Sequence, residues 1–239
     1  MMIPFTTGMP GEPIPYLLHT DWLITSILFL CMILTSLTLS KEKKYLLQQL
    51  KSSLANRSRS SMFDETITSG MHHKLLLAFH TCILLGLAIY YYYSHHQPIL
   101  YEKLSHGWIL CGYALSVFIF MLLKGLLYHS VNWVFFQKER NSLWMATFFN
   151  LFIWLGILLL PVILVIVYFD LLPSISFGLI AFLIIIAKIS LFWTCFCNFF
   201  EKIHGAFHLI LYFCALEILP DFLFWKGMEL LSNNLILNL

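Results

Sequence analysis

The sequence predicts an all-α protein, a polytopic transmembrane helical bundle of six spanning helices with both termini outside. Three observations carry this. Apolar residues make up 60% of the 239 and charged residues only 11%, against about 25% charged in an ordinary soluble domain. Mean hydropathy is +0.83. Six stretches are long and apolar enough to cross a hydrocarbon core, which takes about 20 residues. A soluble globular domain, a disordered chain and a nucleic-acid-binding module are thereby excluded. The lipid bilayer is the first partner expected, and no nucleic acid is.

Residues 1–21 contain no Lys or Arg and carry Pro4, Pro10, Pro13 and Pro15, which reads as an extended, polar external tail. Without a basic n-region no cleavable signal peptide is visible. The first span, Trp22–Leu39, therefore reads as an uncleaved anchor. Residues 40–74 form a cytoplasmic segment in two parts. In Lys41–Leu54, Leu46, Leu47, Leu50 and Leu54 recur at helical spacing among Lys and Gln. This predicts an amphipathic helix on the membrane surface or against a partner, or else a cytoplasmic extension of the first helix. Asn56–Ser61, with Arg57 and Arg59, reads as a flexible basic linker suited to anionic headgroups. Residues 75–239 read as a five-helix membrane domain. Its spans are Leu75–Tyr93, Trp108–Leu127 (which can run on to Phe136), Leu143–Tyr168, Ile175–Cys197 and Ala206–Trp225.

Orientation follows from basic residues in the loops. Lys41, Lys43, Lys44, Lys51, Arg57, Arg59, Lys74, Lys138, Arg140 and Lys202 fall on one side of this scheme; only Lys103 and Lys226 fall on the other. Ten against two places loops one, three and five in the cytoplasm. Trp22, Tyr90 to Tyr93, Trp108, Trp144, Tyr168 and Trp225 sit near span ends, where an interfacial aromatic belt belongs. The six cysteines all lie in apolar stretches, so packing is expected rather than a disulfide framework.

Soluble-enzyme motifs are absent, so chemistry must come from polar groups inside the hydrocarbon, where they are costly. Lys188 and Glu217 both fall in the middle third of the membrane, on helices joined by a short turn, with Asp221 further along the sixth helix. An ion pair between Lys188 and Glu217 is expected, serving either an ion path or helix register. Lys124 lies nearer the inner interface and is expected to snorkel. His80, His129, His204 and His208 fall near the cytoplasmic helix ends, and His204 and His208 share a helical face. Imidazoles from different helices could ligate a haem iron, but no carboxylate or thiolate completes a metal site; interfacial hydrogen bonding is the plainer role, and no cofactor is expected. Pro161 and Pro220 should kink their helices. Pro220 would also free a carbonyl near Glu217.

The C-terminal two thirds carry a further signal. Tyr128 to Phe136 (YHSVNWVFF) precede a basic turn; a helix reaches Gly156 and Pro161; a closing run spans Leu211 to Pro220 (LYFCALEILP), with Lys226 beyond. Over roughly residues 75–231 this pattern resembles a family of uncharacterised polytopic inner-membrane proteins common in Bacteroidota, known only as a domain of unknown function. Asp221 departs from that pattern, in which an apolar residue is usual. The resemblance implies a bacterial inner-membrane location and no activity. The gene surroundings of such proteins imply a link to membrane-protein insertion or to tetrapyrrole chemistry.

The expected function is a non-enzymatic integral inner-membrane subunit that assembles with partner subunits of a larger complex, such as protein export or insertion machinery. The alternatives are a haem- or metal-binding membrane enzyme using the histidines, and a proton-coupled carrier using Lys188 and Glu217.

Overall fold

The computed structural model describes residues 18–54, 71–96, 105–135, 138–169, 171–199 and 211–237. All of the regular structure among them is helical. A 3-10 turn, Leu18–Thr20, leads into α1, Trp22–Leu54. Asp21 caps that helix: its carboxylate accepts from the Leu23 N–H at 3.0 Å, and its carbonyl accepts from Thr25 N–H at 3.1 Å. No Gly or Pro interrupts residues 22–54, so α1 runs unbroken for 33 residues. The boundary read at Leu39 therefore falls inside a helix. Lys41–Leu54 continues the first span as its extension, by about 21 Å at 1.5 Å per residue.

The remaining helices are α2 (Met71–His96), α3 (His106–Phe135), α4 (Lys138–Tyr168) and α5 (Pro173–Phe199). A π-helical turn, Cys214–Ile218, then leads into α6, Leu219–Leu237. Pro173 opens α5 at its first position, where a missing N–H costs nothing. The Ile175 and Ser176 N–H groups return to the Leu172 carbonyl at 2.9 and 3.1 Å. Pro161 lies on an exposed face of α4, and the helix continues through it.

Five of these helices are long and apolar enough to cross a membrane, over Trp22–Ser40, Lys74–His96, His106–Val134, Trp144–Tyr168 and Pro173–Phe196. The protein is thus a multi-pass α-helical membrane protein. The sixth stretch read from sequence, Ala206–Trp225, begins among residues outside the described set.

Side-chain contacts fix the directions. Thr35 meets His80, Phe79 meets Phe118, Tyr93 meets Tyr113, and Tyr128 meets Trp144. The two contacts between α2 and α3 progress in opposite chain directions, so those two helices are antiparallel. Phe213 packs on Phe192, and Phe224 stacks on Phe120 with ring centroids 4.4 Å apart. The C-terminal helical segment accordingly runs against both α5 and α3.

The span of α2 is the most buried, at 56%, and α4 follows at 50%, whereas α5 buries only 11% of its span. These two helices form the centre because small residues let them approach. A Cβ at Gly86 of α2 would come within 2.8 Å of the Ala114 backbone on α3. A Cβ at Gly156 of α4 would overlap the Thr81 side chain of α2. Lipid tails are as apolar as leucine, so helices in a bilayer associate through such close packing rather than through a hydrophobic drive. Two apolar clusters result. One joins α1, α2 and α4 around Leu28, Leu84 and Ile163. The other joins α3, α4 and α5 to the π-helical turn around Tyr128, Trp144 and Cys195.

Candidate functional site

Four charged side chains from three elements converge beside the second apolar cluster. Lys124 comes from α3, Lys188 from α5, Glu217 from the π-helical turn and Asp221 from the first turn of α6. Lys124 Nζ lies 2.7 Å from Glu217 Oε2 and 2.7 Å from Asp221 Oδ1. Lys188 Nζ lies 2.5 Å from Glu217 Oε1 and 2.5 Å from Asp221 Oδ2. Each ammonium thus bridges both carboxylates, and with all four ionised the quartet is neutral. The Tyr128 hydroxyl, one turn beyond Lys124 on α3, donates to Glu217 Oε2 at 2.7 Å.

The four are not equivalent. Lys124 and Glu217 are each only 2% exposed, while Lys188 and Asp221 are 33% and 35% exposed. The first two form a sealed inner pair; the second two form an outer pair. Lys124 consequently does not snorkel. Its ammonium faces inward because two carboxylates compensate it there, and the Phe120 ring lies 5.4 Å from it. The structure brings Lys188 and Glu217 together with Asp221, the further charge that the sequence places along the same helix, and adds Tyr128, which sequence reasoning passed over. A spacing of four residues, Lys124 to Tyr128, was the signal for it, since such residues share a helical face.

The quartet lies on the wall of a cavity of about 450 Å³ bounded by α2 to α6 and the π-helical turn. Its other walls are apolar and aromatic, including Leu85, Val117, Phe148 and Leu155. Tyr92, Phe177 and Trp225 line it as well. The Tyr92 ring packs on both of the others, with centroids 5.2 Å apart for Tyr92–Phe177 and 4.9 Å for Tyr92–Trp225. One turn or more from the quartet toward the C-terminal end of α3, Tyr212 donates to buried Asn132 Oδ1 at 2.7 Å. Polar groups therefore continue past the quartet on that side.

Pro220 sits just after the π-helical turn. It has no N–H to return to the preceding turn, and the Leu219 N–H reaches back five residues to the Cys214 carbonyl.

His80 and His129, the two described histidines of the set, do not converge on this site. His80 is buried, and its Nε2 lies 3.2 Å from Thr35 Oγ1, which joins α2 to α1. His129 sits on an exposed face of α3, with Nδ1 3.4 Å from Asn141 Nδ2. His204 and His208 lie outside the described residues. Among the described residues no group of three His, Cys, Asp or Glu side chains is placed to hold a metal ion.

Residues 24–228 match a family described as Domain of unknown function (DUF4271). The match takes in the first helix as well as the five that follow. No curated protein and no solved structure matches the chain.

Proposed function

We propose, for a chain that belongs to the family described as Domain of unknown function (DUF4271), the function of a membrane carrier. Its half-open cavity holds a small, mostly apolar molecule, and the quartet of Lys124, Lys188, Glu217 and Asp221 is the charge-reading, proton-exchanging end. The observation that supports this is the position of the quartet on the cavity wall. A charge cluster kept only for helix packing gains nothing from exposing Lys188 and Asp221 to a void. A cavity of about 450 Å³ falls in the range of about 300–1,000 Å³ usual for small-molecule sites, which combine apolar walls with few polar groups. Ionisable residues in spanning segments are costly and mark substrate or proton paths. In this reading the protein sits in a bacterial inner membrane as six crossings. The excess of basic residues in loops one, three and five supports an orientation with both termini outside.

The test is native mass spectrometry of protein extracted from its own membranes. A small amphiphilic molecule should accompany the wild type and be lost from Ala181→Phe, whose ring would project into the cavity and narrow it. Identical small-molecule content in both proteins would remove the carrier reading.

A second reading, a subunit of a larger membrane assembly, is supported by α1. That helix runs 14 residues past the end of its membrane-spanning stretch at Ser40, with Lys41, Lys43, Lys44 and Lys51 along the extension. The same mass spectra report it, as a stoichiometric protein partner lost on truncating residues 41–54. The haem reading now rests on His204 and His208.

A further inference from the structure

We infer that the cavity takes a single-chain monoanionic amphiphile, a carboxylate on a hydrocarbon body, and that one proton is taken up with each molecule bound. The inference rests on the carrier reading and names its ligand. The ligand's carboxylate replaces Asp221 at the Lys188 ammonium, and the proton goes to the Asp221 carboxylate.

Three observations carry this. First, the polar groups presented to the cavity are unequal. Lys124 and Glu217 are sealed at 2% exposure, and Glu217 is held by both lysines and the Tyr128 hydroxyl. Lys188 and Asp221 are each about one third exposed, so these two meet whatever occupies the void. Second, among the described residues Asp221 is held by the two lysines alone, and Lys124 keeps Glu217 if Asp221 is neutralised. Asp221 is therefore the carboxylate that can yield. Third, the quartet is neutral as it stands. A monoanion entering alone would leave one uncompensated negative charge at low dielectric, which is strongly disfavoured. A neutral alcohol would leave the Lys188–Asp221 pair as it is and gain nothing from it. A cation would add an uncompensated positive charge. A monoanion entering with a proton conserves neutrality. The ion pair Lys188–Asp221 becomes an ion pair between Lys188 and the ligand, beside a neutral Asp221 carboxyl.

The groups facing Asp221 are Lys124 on α3, Lys188 on α5 and Glu217 on the π-helical turn, with Tyr128 behind Glu217. From α2 and α4 the cavity lining is apolar except for Tyr92, which belongs to the aromatic group with Trp225.

The experiment is equilibrium dialysis of radiolabelled decanoate, decanol and decyltrimethylammonium against the full chain in nanodiscs of neutral lipid, corrected by empty nanodiscs. Decanoate should bind at least about tenfold more tightly than either of the others. Its affinity should fall as pH rises, because binding takes up one proton. Asp221→Asn, which imitates the protonated carboxyl, should keep decanoate binding and lose the pH dependence. Lys188→Gln should weaken decanoate about tenfold or more and leave decanol unchanged. Equal binding of decanoate and decanol, or affinity independent of pH in the wild type, would overturn the inference while leaving a cavity ligand in place. Displacement of decanoate by phosphatidylglycerol added to the nanodiscs would overturn the single-chain assignment. Binding of none of the three probes above empty nanodiscs would overturn both this inference and the carrier reading. The comparison of head groups uses only the wild-type chain, so a variant that misfolds does not weaken the test.

Discussion

Glu217→Gln isolates the energy stored in the quartet. The substitution preserves shape and removes one charge at a position 2% exposed. Lys124, equally sealed, then keeps only Asp221, itself about one third exposed. Removing one member of a buried pair costs about 3–5 kcal/mol. Insertion scales place an unpaired lysine at the bilayer centre at about 2.5–3.5 kcal/mol. Asp221 compensates part of this, so about 3 kcal/mol is expected. Tyr128→Phe removes only the hydroxyl donor and should cost about 1.5–3 kcal/mol, as for a hydrogen bond to a charged group. Adding Lys124→Met to Glu217→Gln should recover much of the loss, because the stranded ammonium is gone and a similar volume fills its place. Adding Lys188→Met should recover less, since Lys188 can turn its ammonium toward the cavity. The assay is equilibrium unfolding in mixed micelles titrated with sodium dodecyl sulfate and followed by helical circular dichroism. A Glu217→Gln protein within about 0.5 kcal/mol of wild type would refute this reasoning. So would a strictly additive cycle with Lys124→Met.

Gly86→Ala and Gly156→Ala should each destabilise the bundle by about 1–3 kcal/mol in the same assay, through overpacking at the α2 crossings. Thr81→Ala should relieve part of the Gly156→Ala loss, because the Thr81 side chain is what the new methyl meets. No side-chain change should relieve Gly86→Ala, which meets the Ala114 backbone. In a cysteine-free background, single cysteines at Ser60 and at exposed Asn234 should label from opposite sides of the membrane. Labelling from the same side would mean that the C-terminal helical segment does not cross.

The helices were legible because a spanning stretch writes itself into about 20 consecutive apolar residues. Their ends were less so. Lys41–Leu54 reads equally as a surface helix or as an extension, since its leucine spacing is the same either way; only the absence of Gly and Pro before it favours the continuous helix found. The pairing of Lys188 with Glu217 could be posed because the two stretches that carry them are consecutive in the sequence. The place of Lys124 could not. Its partners lie 93 and 97 residues away in the chain, and depth along its own helix suggested the interface. Asp221 was visible as a further charge along the helix of Glu217, whereas Tyr128 was visible only through its four-residue spacing to Lys124. That spacing becomes informative once the charged neighbour is known to face inward. The cavity left no mark on the sequence, because its lining residues are the same Leu, Phe, Ile and Ala that fill a packed core.

The π-helical turn at Cys214–Ile218 has a consequence for length changes in this chain. It amounts to one residue inserted into an α-helix, and each residue of an α-helix turns the chain by about 100°. On its N-terminal side, Tyr212 is aimed at Asn132 and Phe213 at Phe192. On the other side, Asp221 is aimed at the lysines and Phe224 at Phe120. The turn is thus a phase adjuster between two halves that must each face their own targets. Deleting Ala215 would let the segment relax to an ordinary helix. Either the first half or the second would then swing about a quarter-turn out of alignment, although the composition would hardly change.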